Sequence, residues 1–235
     1  MTFDTPLQPL ISVKKRIAEA AVAAGRNPHD ITLLAVSKRH PAQAVEKLVS
    51  EGQRHFGENY VSEALEKMAA LSVPALHWHF IGPIQSNKTR DIAHNFSWVH
   101  SVDRSKILLR LNDARPASAP PLNCCLQINI EGEASKSGAS VQQAEELVNL
   151  ASQLPRLHLR GLMCIPAPST DRAQQEAVFA RLRQLRDSLR RPELPLEVLS
   201  MGMSGDLEAA ITQGSTIVRI GTALFGPRSD RPSKT

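Results

Sequence analysis

The sequence predicts an α/β protein, a single (β/α)8 TIM-type barrel with an extra N-terminal helix. Eight short strand-like runs, several of them β-branched or continuously apolar, alternate with helical segments, and polar and glycine residues gather just after the runs. Strands joined by helices pair in parallel through right-handed crossovers, and eight of them close a barrel. An open doubly wound sheet is the rival, but no Gly-x-Gly-x-x-Gly follows any of the runs.

In chain order, a helix over Ile11–Ala24 comes first and stops at Gly25. The expected strands are Ile31–Val36, Arg54–Phe56, Leu76–Ile81, Trp98–Ser101, Cys124–Asn129, His158–Met163, Leu196–Ser200 and Thr216–Ile220. Several are continuously apolar, as strands buried on both faces must be. Helical segments fall near Pro41–Ser50, Val61–Leu71, Ser86–His94, Arg104–Asp113, Val141–Leu154, Ala173–Arg190 and Asp206–Gln213. Pro41 suits a first helical turn, Asp103 suits the cap of the helix after it, and Thr170 that of the long arginine-rich one. The proline-rich patch Ala114–Pro121 reads as a loop.

Of the 235 residues, 42% are hydrophobic but only 4% aromatic, so aliphatic side chains must fill the core. One domain over residues 1–226 is expected, with a polar, disordered tail over 227–235. The formal net charge is +5, densest at Arg181, Arg183, Arg186, Arg190 and Arg191. Val178, Leu182, Leu185 and Leu189 share that segment at helical spacing, so the arginines read as a solvated face. A nucleic-acid stripe is disfavoured because no aromatic residues interleave with them. Cys124, Cys125 and Cys164 make neither a disulfide framework nor a zinc pair and read as packing thiols. No apolar run suits a signal peptide or a membrane span, so a reduced, cytoplasmic protein with no membrane and no nucleic-acid partner is expected.

In such a barrel, function sits on the loops after the strands. Lys38 follows the run Leu33-Leu34-Ala35-Val36. At the mouth of a closed barrel it would lose hydration and favour the neutral amine that attacks a carbonyl; equally, it can snorkel to water. Ser204-Gly205-Asp206 opens a helix, and Gly221-Thr222 follows the last strand. These two loops are the usual phosphate site of a barrel, although Ser204 suits a simple helix cap as well. A carbonyl-accepting lysine facing a phosphate cup points to pyridoxal 5′-phosphate.

Arg219, at the end of the eighth strand, would then face the ring nitrogen. An arginine keeps its proton and so leaves that nitrogen bare, which makes a weak electron sink; a salt bridge at the barrel rim is the alternative. Asn59, His79 and Asn87 are candidates for ring substituents or for ordering the lysine. Met201 and Met203 are candidates for walling the ring. His77 and His79 share a strand face, yet no third metal ligand lies at suitable spacing.

These blocks resemble the pyridoxal phosphate homeostasis proteins of the YggS/PROSC type. The resemblance spans about Ile31 to Gly226. It rests on Ala35-Val36-Ser37-Lys38, Phe56-Gly57-Glu58-Asn59-Tyr60, His79-Phe80-Ile81-Gly82 and Gln85-Ser86-Asn87-Lys88. Further on it includes Glu133-Ala134-Ser135-Lys136-Ser137-Gly138, Gly161-Leu162-Met163, Ser200-Met201-Gly202-Met203-Ser204, Val218-Arg219-Ile220-Gly221-Thr222 and Phe225-Gly226. It implies a barrel like the N-terminal domain of alanine racemase and a cofactor held as an imine (Schiff base) on Lys38. It further implies phosphate contacts from Ser204, Gly221 and Thr222, and a ring-nitrogen contact from Arg219. Members of the family are thought to bind, buffer and hand over pyridoxal phosphate to apo-enzymes and to affect amino-acid and keto-acid balance, without robust catalysis.

The alternative is a weak pyridoxal-phosphate-dependent amino-acid racemase. Racemisation needs an acid–base group on each face of the substrate carbon. Barrel racemases take the second, a tyrosine, from a β domain across a dimer. Here the chain ends soon after the eighth strand, and its sole tyrosine, Tyr60, begins a helix. A non-catalytic carrier that works as a monomer is therefore expected.

Overall fold

The computed structural model describes residues 7–71, 73–133 and 136–227; most of the expected tail, residues 228–235, lies outside them. Within them β1 (Thr32–Val36), β2 (His55–Glu58), β3 (His77–Phe80), β4 (Trp98–Val102), β5 (Leu122–Gln127), β6 (Leu157–Met163), β7 (Val198–Ser200) and β8 (Ile217–Ile220) form a closed barrel in sequence order. Every neighbouring pair is parallel, and β1 closes on β8 with Ala35 beside Ile220. Two shells of apolar side chains result, as the period of two demands. Leu34, Val36, Ile81, Cys125, Met163, Val198 and Ile217 make the small inner cluster. The larger cluster lies between strands and helices.

The helices are α1 (Leu7–Ala23), α2 (Ala42–Ser50), α3 (Val61–Ala70), α4 (Thr89–Asn95), α5 (Ser105–Ala114), α6 (Ala144–Ser152), α7 (Arg172–Leu189), α8 (Leu207–Thr212) and α9 (Thr222–Phe225). Helix α1 buries Leu10, Val13, Ile17, Ala20 and Ala21, one stripe at helical spacing. Its end is a Schellman motif: Arg26 N–H donates to the Ala21 carbonyl and Gly25 N–H to that of Val22. Gly25 takes the left-handed φ of 67° that this ending requires.

Two expected caps fall elsewhere. Helix α7 is capped by Asp171, not Thr170, its carboxylate accepting from Ala173 and Gln174 N–H. The Asp103 carboxylate is engaged by Arg104, so α5 starts without a side-chain cap. Two expected helices open as a 3-10 turn, Ser86–Lys88 before α4 and Val141–Gln143 before α6. On α7, Val178, Phe179 and Leu182 are buried, and the expected solvated arginine face is met in part: Arg181 and, at the helix end, Arg190 are exposed, whereas Arg183, Arg186 and Arg191 are half-buried. The cysteines are free and buried, and burial pushes the Cys124 and Cys164 thiols up to about 12.

At the mouth, Gly82 lets the chain after β3 cross that after β2. A Cβ on it would stand 2.2 Å from the Asn59 carbonyl oxygen. Gly82→Ala should therefore lose about 1–3 kcal/mol of stability through forced backbone displacement, read as a lowered urea midpoint. An unchanged midpoint would show that the crossing is not tight.

Candidate functional site

Barrel closure brings the loops after β1, β7 and β8 side by side. Lys38 is half-buried just past the end of β1. Gly221 lies beside that end: a Cβ there would be 3.4 Å from the Val36 carbonyl oxygen. Thr222 is exposed and opens α9, whose first N–H groups lack intrahelical acceptors. On the other side, Arg219 N–H donates to the Gly202 carbonyl at 2.9 Å, stitching β8 to the loop that carries Ser204. Ser204 is half-buried. It does not cap α8, whose cap position is Asp206 and has no side-chain cap bond.

Helix α1 braces this loop. Arg16 donates to both carboxylate oxygens of Glu208 on α8 and, through Nη2, to the Ser204 carbonyl at 3.2 Å. The extra N-terminal helix thus reaches the very loop expected to meet a phosphate.

The segment carrying Lys38 is clamped from outside the barrel. Lys67 on α3 is buried and donates to the Ser37 carbonyl and the Glu58 carboxylate at 2.6 Å each, and to Glu63 at 2.8 Å. Ser37 Oγ also donates to Glu58, and Glu63 accepts the Arg39 N–H. Arg39 has a left-handed φ of 65°, uncommon for a non-glycine residue. A strained residue directly after Lys38 is thus held by a buried, charged cluster. Burial raises the Glu58 pKa although Lys67 and Ser37 pull it down.

Arg219 rises from β8 inside the barrel and is 4% exposed. It makes no salt bridge among the described residues, so the rim-bridge alternative falls. Nη1 donates to the carbonyl and hydroxyl oxygens of Ser200, and Nη2 to the Cys164 carbonyl. Two of its five N–H groups are left without a protein acceptor among those residues. Burial lowers the Arg219 pKa, while Cys164, Asp206 and Cys125 act to raise it. Asn59 is half-buried, with Oδ1 sequestered and unpartnered. It lines a cavity of about 290 Å³ together with Ile81, Pro83, Gln127, Lys136 and Ile165. Donors facing inward and an orphaned acceptor at the mouth suit a small aromatic anion that carries both kinds of group.

Other expected contacts lie elsewhere. His79 is fully buried below the mouth, with Nε2 on His55 Nδ1 at 3.0 Å and Nδ1 on His100 Nε2 at 2.9 Å. Neither ring nitrogen remains for a ligand. Met201 packs in the outer core: Ser200 points inward to His100, so its neighbour turns outward. Met203 is the methionine at the surface, 36% exposed. Asn87 is exposed in the 3-10 turn before α4. His77 stacks on His55 at the barrel base. Among the described residues no group of three or more His, Cys, Asp or Glu side chains could hold a metal ion. Lys67, Glu63, His55 and His100 were outside the expectations. The i,i+4 spacing of Glu63 and Lys67, and the strand parity of His79 with His55 and His100, are the signals that point to them.

Removing the Lys67 amine should strand Glu58 and cost about 3–5 kcal/mol. The already raised Glu58 pKa would rise further, so folding would bind a proton and the stability of Lys67→Met should recover as pH falls. Urea unfolding at two pH values measures this. A deficit that does not shrink in acid would show that Glu58 is not the stranded charge.

The alanine racemase, N-terminal domain family model matches residues 12–229. The pyridoxal phosphate homeostasis protein of Pseudomonas aeruginosa is 58% identical over 226 residues, which cover 96% of this chain and 97% of that one. Among solved structures, PipY of Synechococcus elongatus with pyridoxal phosphate bound has 39% identity and a TM-score of 0.79. It covers 89% of this chain and 100% of its own. Alanine racemase of Corynebacterium glutamicum, at 15% identity and a TM-score of 0.68, shares the fold over 93% of this chain and 62% of its own. The sequence resemblance is thus met by the relatives as well as by the barrel: the chain belongs to the family of pyridoxal phosphate homeostasis proteins, within that of the alanine racemase N-terminal domain.

Proposed function

We propose that this chain holds pyridoxal 5′-phosphate through the amine of Lys38 and buffers and delivers it to apo-enzymes without robust catalysis of its own. The observation that carries the reading is the meeting, at one barrel mouth, of Lys38, the Ser204 and Gly221–Thr222 loops and the inward guanidinium of Arg219. That PipY, with 39% identity, binds the same cofactor supports it. In this reading the cofactor supplies an aldehyde that condenses with an amine and releases water. Ser204, Gly221 and Thr222 take the phosphate, with N–H groups of the α9 turn as donors. Arg219 donates to the ring nitrogen with the N–H groups that have no protein acceptor. Asn59, on the wall of the adjoining cavity, would meet a ring substituent.

Lys67, Glu58 and Glu63 fix the backbone on either side of Lys38 and so aim its side chain. Arg219 cannot take up the role of a proton donor that leaves the ring nitrogen charged, so carbanion chemistry at the cofactor is weakly supported. Tyr60, the racemase alternative's second acid–base group, is 47% exposed at the start of α3, where water would compete for its proton. A monomer in the cytoplasm fits this carrier role. No helix among the described residues is long and apolar enough to cross a membrane.

Borohydride reduction of protein saturated with pyridoxal phosphate, followed by peptide mass mapping, should put the label on the Lys38 peptide. Label confined to Lys88 or Lys136 would overturn the assignment. With L-alanine in deuterated water, the loaded protein should exchange the α-hydrogen no faster than free pyridoxal phosphate. Faster exchange, lost in Tyr60→Phe, would favour the racemase.

A further inference from the structure

A column of imidazoles runs up the barrel interior and ends on Arg219. His55 opens β2 at the half-exposed base. Its Nδ1 meets His79 Nε2 at 3.0 Å, and His79 Nδ1 meets His100 Nε2 at 2.9 Å. His100 Nδ1 meets Ser200 Oγ at 2.7 Å, and Ser200 Oγ meets Arg219 Nη1 at 3.0 Å. Trp98 stacks on His79 at 5.3 Å with the planes 10° apart, and the Arg160 guanidinium lies over Trp98. Together they shield the column from below.

The chemistry of the two ends fixes the direction of every proton in the column. Guanidinium has only donors, so Ser200 Oγ accepts from Arg219. The single serine proton then has His100 Nδ1 as its acceptor. That nitrogen is bare, so His100 carries its proton on Nε2 and donates to His79 Nδ1. By the same step His79 donates from Nε2 to His55 Nδ1, and His55 carries its proton on Nε2. The opposite direction would load Ser200 Oγ with two donors and leave its own proton without an acceptor among the described residues. Burial keeps the rings neutral: it lowers His100 to about 3, assisted by Arg219, and His55 to about 4, assisted by His77, and holds His79, with His100 beside it, well below the usual imidazole value.

Each bond in such a chain polarises the next. The lone-pair end of every dipole faces Arg219, which is buried and makes no ion pair with a carboxylate among the described residues, Asp206 acting on it only from a distance. We infer that His55, His79, His100 and Ser200 are positioning residues that stabilise and aim the Arg219 guanidinium, and that through it they keep the cofactor's ring nitrogen free of a proton. This rests on the reading that pyridoxal phosphate lies with its ring nitrogen at Arg219.

Two measurements test it. In protein with 15N-labelled histidine at neutral pH, long-range proton–nitrogen correlations should show His79 and His100 as neutral rings protonated on Nε2. An imidazolium, or a proton on Nδ1 of either ring, would overturn the one-way chain even if no variant folds. The second uses protein loaded with pyridoxal phosphate labelled with 15N in the ring. His100→Phe should raise the protonated fraction of the ring nitrogen about tenfold, one unit of its titration, in the same direction as Arg219→Gln. If Arg219→Gln shifts the titration and His100→Phe leaves it at the wild-type position, the column has no positioning role. If Arg219→Gln leaves it unmoved, the placement of the cofactor on Arg219 falls and takes this inference with it.

Discussion

The pairing of β1 with β8 is the contact on which the site depends. Sequence order alone leaves Lys38 and Thr222 at opposite ends of the domain. The parallel ladder from Thr32 to Ala35 against Ile217 to Ile220 makes them neighbours. Because each strand leaves the barrel at the same end, each loop that follows a strand lands on the same rim. The β7 loop joins them through the bond from Arg219 N–H to the Gly202 carbonyl. Opening the barrel at that seam would separate Lys38 from the loops that carry Ser204 and Thr222 with both local sequences unchanged.

Inside and outside the strands, the polar groups follow different rules. The Glu58–Lys67 pair lies between β2 and α3, where two opposite charges compensate each other across a packed interface. The interior holds a cation and neutral imidazoles instead. A lone buried charge is costly unless it is well hydrogen-bonded, and Arg219 meets that condition with serine and carbonyl oxygens. Gly57 helps to make the interior possible: a Cβ there would come within 3.3 Å of both Ile81 and Leu34. That leaves the second strand's inward face to His55 below it.

Much of the architecture was legible because it is periodic. Eight strand-like runs, several of them continuously apolar, and the helical segments between them marked every strand, since a parallel barrel buries both faces of most strands. Boundaries moved where backbone chemistry differed from pattern. The second strand runs on through Gly57 to Glu58, because a glycine inside a barrel relieves crowding and does not end a strand. The α7 cap moved one residue, from Thr170 to Asp171. Side-chain direction was harder to read than position: Met201 turns outward and His79 is enclosed by two other histidines, facts set by the parity of neighbouring strands. For Lys67 only the i,i+4 spacing from Glu63 is local; Ser37 and Glu58 meet it only through the fold.

Helix α1 has a consequence of its own. Arg16 joins it to Glu208 and to the Ser204 carbonyl, so the helix and the loop after β7 are ordered together. Free-energy coupling of this kind is reciprocal. A ligand that binds the Ser204 loop more tightly with this helix docked would, to the same degree, favour the docked helix, and amide exchange along Leu10 to Ala21 would register occupancy from the far side of the wall.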